Sequence, residues 1–157
     1  MTSKLRKIIL FVIITLGILF TFSFLTHFFY KNSILIQGPA MEPTLSSLQN
    51  YRYTHVQNSD HLSRGTIVVY THEDYLTVSR IVGLPHESLR IQDSQVYIDG
   101  EVVPEPYVTP DKTQRGNREE ISIPAENYAL MVDNRALNPA GVALVTMEEI
   151  VGIIEKF

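Results

Sequence analysis

The sequence predicts a mainly β domain of short strands, preceded by one N-terminal transmembrane helix. Three observations carry that expectation. Ile8 to Tyr30 is a run of 23 residues without an acid, lysine or arginine. The remainder breaks into short stretches rich in β-branched and aromatic residues, separated by Gly, Pro and Asp turns. Beyond the first run no amphipathic helix is legible, apart from a turn around Thr146–Glu149.

At about 1.5 Å per helical residue the first run is long enough to cross a bilayer core of roughly 30 Å. A cleaved leader would have a shorter apolar region of about 7–15 residues and a small-x-small site after it. This run ends instead in Thr26-His27-Phe28-Phe29-Tyr30, which predicts an uncleaved anchor. Lys4, Arg6 and Lys7 precede the span and only Lys31 follows it closely. The positive-inside bias then predicts a single-pass protein of the cell membrane. Residues 1–7 are expected in the cytoplasm, 8–30 in the membrane, and 31–157 as one extracytoplasmic domain.

Within that domain the strands are expected as follows. Ile34–Ile36 leaves the membrane segment, and Tyr51–Gln57 alternates loosely. Thr66–Tyr70 follows the Arg64-Gly65 turn, and Leu76–Val82 is stopped by Gly83-Leu84-Pro85. Ser88–Gln92 and Gln95–Ile98 read as a pair, with Asp99-Gly100 as a two-residue hairpin turn after them. Glu105-Pro106-Tyr107 opens an irregular stretch, and the polar residues 109–120 are expected to form a surface loop. Ile121–Ile123, Tyr128–Val132 and Ile150–Ile154 complete a sandwich or barrel-like set.

Composition excludes several functions. All 17 acids lie after residue 30, with 10 of the 13 lysines and arginines, so the outer part is acidic and unsuited to nucleic acid. Cysteine is absent, and the five histidines (His27, His55, His61, His72 and His86) fall at no metal-ligand spacing. Neither a metal nor another cofactor is expected.

The order of motifs along the chain is more telling. GPAMEPTL (38–45), RGTIVVY (64–70), VSRIVGLPHESL (78–89), VYIDGEVVPEPY (96–107), IPAENYALMVDNR (123–135) and a final IVG (150–152) follow the apolar run. Together they resemble type I signal peptidases, from about residue 5 to 153. The resemblance implies a β fold shared with the self-cleavage domain of the LexA repressor. It also implies a membrane-anchored serine endopeptidase that removes signal peptides, using a Ser nucleophile and a Lys base. Its substrate would lie extended along a strand edge, with small side chains at the −3 and −1 positions.

A serine hydroxyl needs a base in contact, and a lysine becomes one only where burial lowers its pKa. The family's nucleophile position, in G-x-S-M-x-P-T-L, is Ala40 here, and its base position before R-I-V-G-L-P is Ser79. The family's Asp-Ser-Arg trio is also missing from residues 138–142, Asn-Pro-Ala-Gly-Val. Ser79 with His72 or His86 is the local substitute to weigh, and nothing in the sequence orients either pair. Loss of the nucleophile costs a serine protease on the order of 10⁶-fold in turnover. A catalytically inactive member is therefore expected. A peptide groove is still expected from Ile36, Gly38, Met41 and Leu45 on one side and Leu76, Thr77 and Val78 on the other. Pro43, Thr44, Arg80, Asp133, Asn134 and Arg135 are expected to support it. The partner would be an exported preprotein, a signal peptide or a surface-fibre subunit. Two alternatives stand beside this reading. One is an active signal peptidase with non-standard catalytic residues, or one engineered at the nucleophile. The other is a structural partner of an active peptidase that binds no peptide.

Overall fold

The computed structural model describes residues 3–30, 32–59, 62–109 and 116–154. Two compact units divide the chain, Met1–Ser33 and Ile34–Phe157. The first holds helix α1, Ser3–Tyr30. Its segment Lys4–Thr26 is long and apolar enough to cross a membrane. Large apolar side chains from Leu5 to Leu25 are exposed around the whole helix. Its threonines turn inward to the backbone: Thr15 Oγ1 donates to Phe11 O at 2.9 Å and Thr21 Oγ1 to Gly17 O at 3.0 Å. A hydroxyl is satisfied in this way without water.

The second unit is built from antiparallel strands in three sheets, which bears out the expected β architecture. The strands are β1 (Ser33–Leu35), β2 (Asn50–Arg52), β3 (Thr54–His55), β4 (Ile67–His72), β5 (Tyr75–Gly83) and β6 (Ser88–Gln92). They continue as β7 (Gln95–Ile98), β8 (Glu101–Val102), β9 (Arg118–Ser122), β10 (Asn127–Met131), β11 (Ala143–Thr146) and β12 (Ile150–Ile153). The large sheet runs β11-β10-β5-β4-β12-β3, a second runs β8-β7-β6-β9, and β1 pairs with β2 alone.

The run Ile-Val-Val-Tyr in β4 explains the centre. Val68 and Val69 are both fully buried, and they enter different core clusters, Val69 with Met41 and Leu45 and Val68 with Ile81 and Leu130. A strand buried on both faces reads as a continuous apolar run, not as alternation. Val82, Leu89, Ile98 and Ile123 form a third cluster between β5 and the smaller sheet. The tight turns have local causes. Asp93-Ser94 and Asp99-Gly100 take φ of 49° and 68°, and 51° and 84°, the double left-handed geometry of a two-residue hairpin loop.

Three expectations are corrected. Tyr51–Gln57 is not one strand: buried Tyr53 separates β2, which pairs with β1, from β3, which pairs with β12. The polar stretch 109–120 is not all loop, because Arg118–Ser122 pairs with β6 as β9; residues 110–115 lie outside the described residues. Ala143–Thr146, unassigned from sequence, is strand β11 at the sheet edge, with Val145 inward and Leu144 outward. The Thr146–Glu149 turn is a short 3₁₀ helix, Met147–Glu149, whose Glu149 carboxylate accepts from the Thr146 N–H at 2.7 Å.

Gly152 marks the tightest strand approach. A Cβ there would stand 2.6 Å from Thr54 O and 2.6 Å from Tyr53 Cδ2. Gly152→Ala is expected to push β3 from β12 and cost about 1–3 kcal/mol by overpacking. Urea melting of the detergent-solubilised chain measures this; an unchanged midpoint would show that β3 yields freely.

Candidate functional site

The turn Gln37–Leu45 is anchored from below and from the side. Met41 is 1% and Leu45 0% exposed, so both side chains pin the turn into the core. Leu45 N–H donates to Met41 O at 2.9 Å, and the Glu42–Pro43 peptide is cis. From the side, Asn134 donates twice: its backbone N–H to Ala40 O at 3.0 Å and its Nδ2 to Pro39 O at 3.0 Å. Gly38 takes φ of 90°, a conformation that L side chains rarely adopt, and its N–H donates to Ser47 Oγ at 3.1 Å.

Beneath the turn lies a buried ion pair. Arg80 Nε donates to Asp133 Oδ1 at 2.8 Å and Nη2 to Oδ2 at 2.6 Å, with Asp133 fully buried. The same guanidinium reaches Gly65 O at 2.7 Å and Thr44 Oγ1 at 3.3 Å, and Thr44 donates its hydroxyl onward to Asp133 Oδ2. The Tyr107 ring covers Arg80, 4.0 Å from Cζ to the ring centroid. Tyr107 donates to Glu105 Oε1 at 2.7 Å, and Glu105 pairs with the buried Arg135. Arg135 also donates to Met131 Sδ at 2.8 Å. Burial pushes the Glu105 carboxyl above its ordinary value, against the pull of Arg135 and of the Tyr107 hydroxyl. Burial and then the Glu105 charge push the Tyr107 phenol up as well. Sequence reasoning kept Glu105-Pro106-Tyr107 only as a landmark. Two hydrogen-bonding residues flanking a proline were the available signal.

Two cavities flank β5. A groove of about 360 Å³ is lined by Ile34–Gly38, Ala40 and Met41 on one wall and by Tyr75–Val78 on the other. It brings together Ile36, Gly38, Met41, Leu76, Thr77 and Val78, and adds Ile34, Leu35, Gln37 and Tyr75, which sequence reasoning missed. Leu45 is corrected: it lies in the core below and not on the groove wall. β5 pairs with β4 from Tyr75 to Arg80 but with β10 only from Arg80 onward. Its other edge from Tyr75 to Ser79 is therefore unpaired among the described residues. Ser79 does not face this groove. It is 4% exposed and lines a separate cavity of about 230 Å³ with Tyr70, Leu130 and Asn138. His72 and His86 are both exposed and line neither cavity. His72 meets the Tyr75 ring edge-on at 5.6 Å.

A family model for signal peptidases, peptidase S26, matches residues 5–152. The chain belongs to the signal peptidase family. Signal peptidase I of Bacillus amyloliquefaciens is 31% identical over 130 residues, which cover 75% of this chain and 70% of that one. Signal peptidase I S of Bacillus subtilis is 30% identical over 132 residues, covering 75% and 71%. A crystal structure of a signal peptidase I from Enterococcus faecalis V583 aligns with a TM-score of 0.48 at 21% identity, covering 59% of this chain and 96% of that one.

In this signal peptidase family member the described residues that line the groove include no Ser, Lys, His, Asp or Glu. The Thr77 and Tyr75 hydroxyls are the oxygen nucleophiles among them, and no basic side chain among the described residues shares their wall. The arrangement can hold backbone along an open strand edge and apolar side chains against Ile36, Met41 and Val78.

Two outcomes are expected from the ion network. Asp133→Ala leaves Arg80 buried without a counter-charge and should cost about 3–5 kcal/mol, read as a lowered urea midpoint. The double change Arg80→Met with Asp133→Leu should recover most of that loss; equal losses would mean the pair itself stabilises. Glu105 gives a pH signature. Its folded value is raised, so its contribution is fully present below the ordinary carboxylate value and is lost as pH rises through the raised one. Glu105→Gln should flatten that decline in melts from acid to neutral pH, with the two chains converging at acid pH, where Glu105 is itself neutral.

Proposed function

We propose that this chain is a membrane-anchored signal peptidase homologue without proteolytic activity, which holds an extended segment of an exported protein in the groove beside Ala40. One observation carries it: the groove has an open strand edge but a methyl group where the family motif has its nucleophile. Strand addition needs backbone donors and acceptors, and side-chain pockets at alternate positions, but no catalytic dyad. Partners of the expected chemistry are a preprotein, its signal peptide or a surface-fibre subunit. Positive charge at Lys4, Arg6 and Lys7 favours a cytoplasmic N-terminus with the β domain outside.

The identity to proteins named signal peptidase I favours a second reading, an active endopeptidase using other groups. One assay separates the two. The detergent-solubilised chain is incubated with a labelled preprotein, and signal-peptide segments are titrated onto it. Saturable binding without cleavage is expected. Cleavage after a small residue would overturn the inactive reading, and no saturation at millimolar peptide would overturn the groove. Ala40→Ser alone is also expected to stay silent, because the restored hydroxyl has no base in contact.

A further inference from the structure

The carbonyls at the tip of the turn, Pro39 and Ala40, are held from outside the turn by Asn134 alone among the described residues. Its Nδ2 donates to Pro39 O and its backbone N–H to Ala40 O, each at 3.0 Å. The other ties of this segment lie away from the tip. Ile36 and Gly38 bond back to Gln49 and Ser47, close neighbours along the chain, and Thr44 bonds to Asp133. Asn134 is itself a fixed post. Its carbonyl accepts from Leu137 N–H at 3.2 Å, and it stands between Asp133 and Arg135, whose side chains are held in buried ion pairs. It follows the end of β10 closely, and Met131, the last residue of β10, is in register with Arg80 of β5. Bonded structure therefore runs from Ala40 through Asn134 and β10 to β5, the strand of the opposite groove wall.

Stability does not account for an amide at this place. Asn134 is 4% exposed, and its Oδ1 is buried without a hydrogen-bond partner among the described residues. An unpaired buried acceptor is unfavourable, and a leucine of similar size would remove it. Leucine would also remove the Nδ2 donor, but Pro39 O would keep the Glu42 N–H at 3.2 Å. Gain and loss to the fold oppose each other, and what the amide adds is the placement of the tip. We infer that Asn134 is the positioning residue of the groove: its two donors set how far the Ala40 tip stands from the open edge of β5. Asn134 does not line the groove and acts through the turn. Functional geometry depends on such locked supports behind the contact surface. The consequence for affinity rests on the peptide reading above; the consequence for the tip does not.

The test compares the full chain in detergent micelles with Asn134→Leu and with Val96→Ala, a core truncation in the smaller sheet. Hydrogen exchange of the Glu42 amide reads the tip, because that N–H closes onto Pro39 O. Asn134→Leu should speed this exchange about fivefold or more, the loss of one hydrogen bond, and leave the β4 amides at their rates. Titrated with a signal-peptide segment, the same variant should bind about fivefold or more weakly. Val96→Ala lowers the urea midpoint but should change neither readout. Unchanged Glu42 exchange in Asn134→Leu, equal acceleration in Val96→Ala, or undiminished affinity for a peptide that the unsubstituted chain binds would overturn the assignment. If the unsubstituted chain binds no peptide, the groove reading falls and the exchange comparison alone decides Asn134. Should Asn134→Leu fail to fold, Asn134→Asp, which keeps the shape and replaces the Nδ2 donor with an acceptor, is read by the same amide with the same two outcomes.

Discussion

The Arg80–Asp133 pair is the interaction on which the site's geometry depends. Its two carboxylate oxygens are met by Nε and Nη2 along one edge of the guanidinium, while Nη1 donates to Gly65 O and Nη2 also to Thr44 Oγ1. Lysine could not substitute, because a point charge cannot make that fork. Desolvating both ions is expensive, so the pair repays itself only while every lone pair and proton is matched. Matching them ties β5, the end of β10, the Arg64-Gly65 turn and the Thr44 end of the Ala40 turn into one body. Tyr107 seals the face of Arg80, which brings the segment after β8 into the same assembly. None of these contacts involves the residue at position 40 or 79. A scaffold held this way can lose both of those groups and keep its shape.

Much of this was legible in the chain. The all-apolar first helix and the Ile67–Tyr70 run announced themselves because neither shows polar alternation. The paired strands 88–92 and 95–98 were legible from their turn chemistry, and the landmark series led to the ion-paired residues Arg80 and Asp133. What escaped has physical reasons. β11 is a four-residue edge strand that buries only Val145 deeply, so its pattern carries one inward residue and no period. β2 and β3 merged because Tyr53 looks like a strand residue, yet its role is to plug the core where the chain changes partners. The Glu105–Arg135 bond joins residues thirty positions apart, and no local pattern encodes it. Leu45 was expected on the groove wall beside Ile36 and Met41; the turn buries it underneath instead.

The open edge beside the groove sits uneasily with ordinary sheet design. Unpaired strand edges invite association with other chains, and proteins commonly shorten, charge or cover them. Here the free stretch from Tyr75 to Ser79 carries no charged side chain and faces an apolar wall. Retention of that edge in a chain whose turn carries a methyl in place of a nucleophile separates two properties that an endopeptidase needs together. Holding a strand draws on the backbone donors and acceptors of such an edge, whereas cutting one needs a nucleophile and a base in contact.

Val78 and Ser79 are neighbours, yet each borders a different chamber. The polypeptide between them is a partition a single residue thick. That partition is held in the β4–β5 ladder, with Val78 opposite Val69 and Ser79 opposite Val68. Enlarging either side chain therefore narrows its own chamber and leaves the space across the strand as it was.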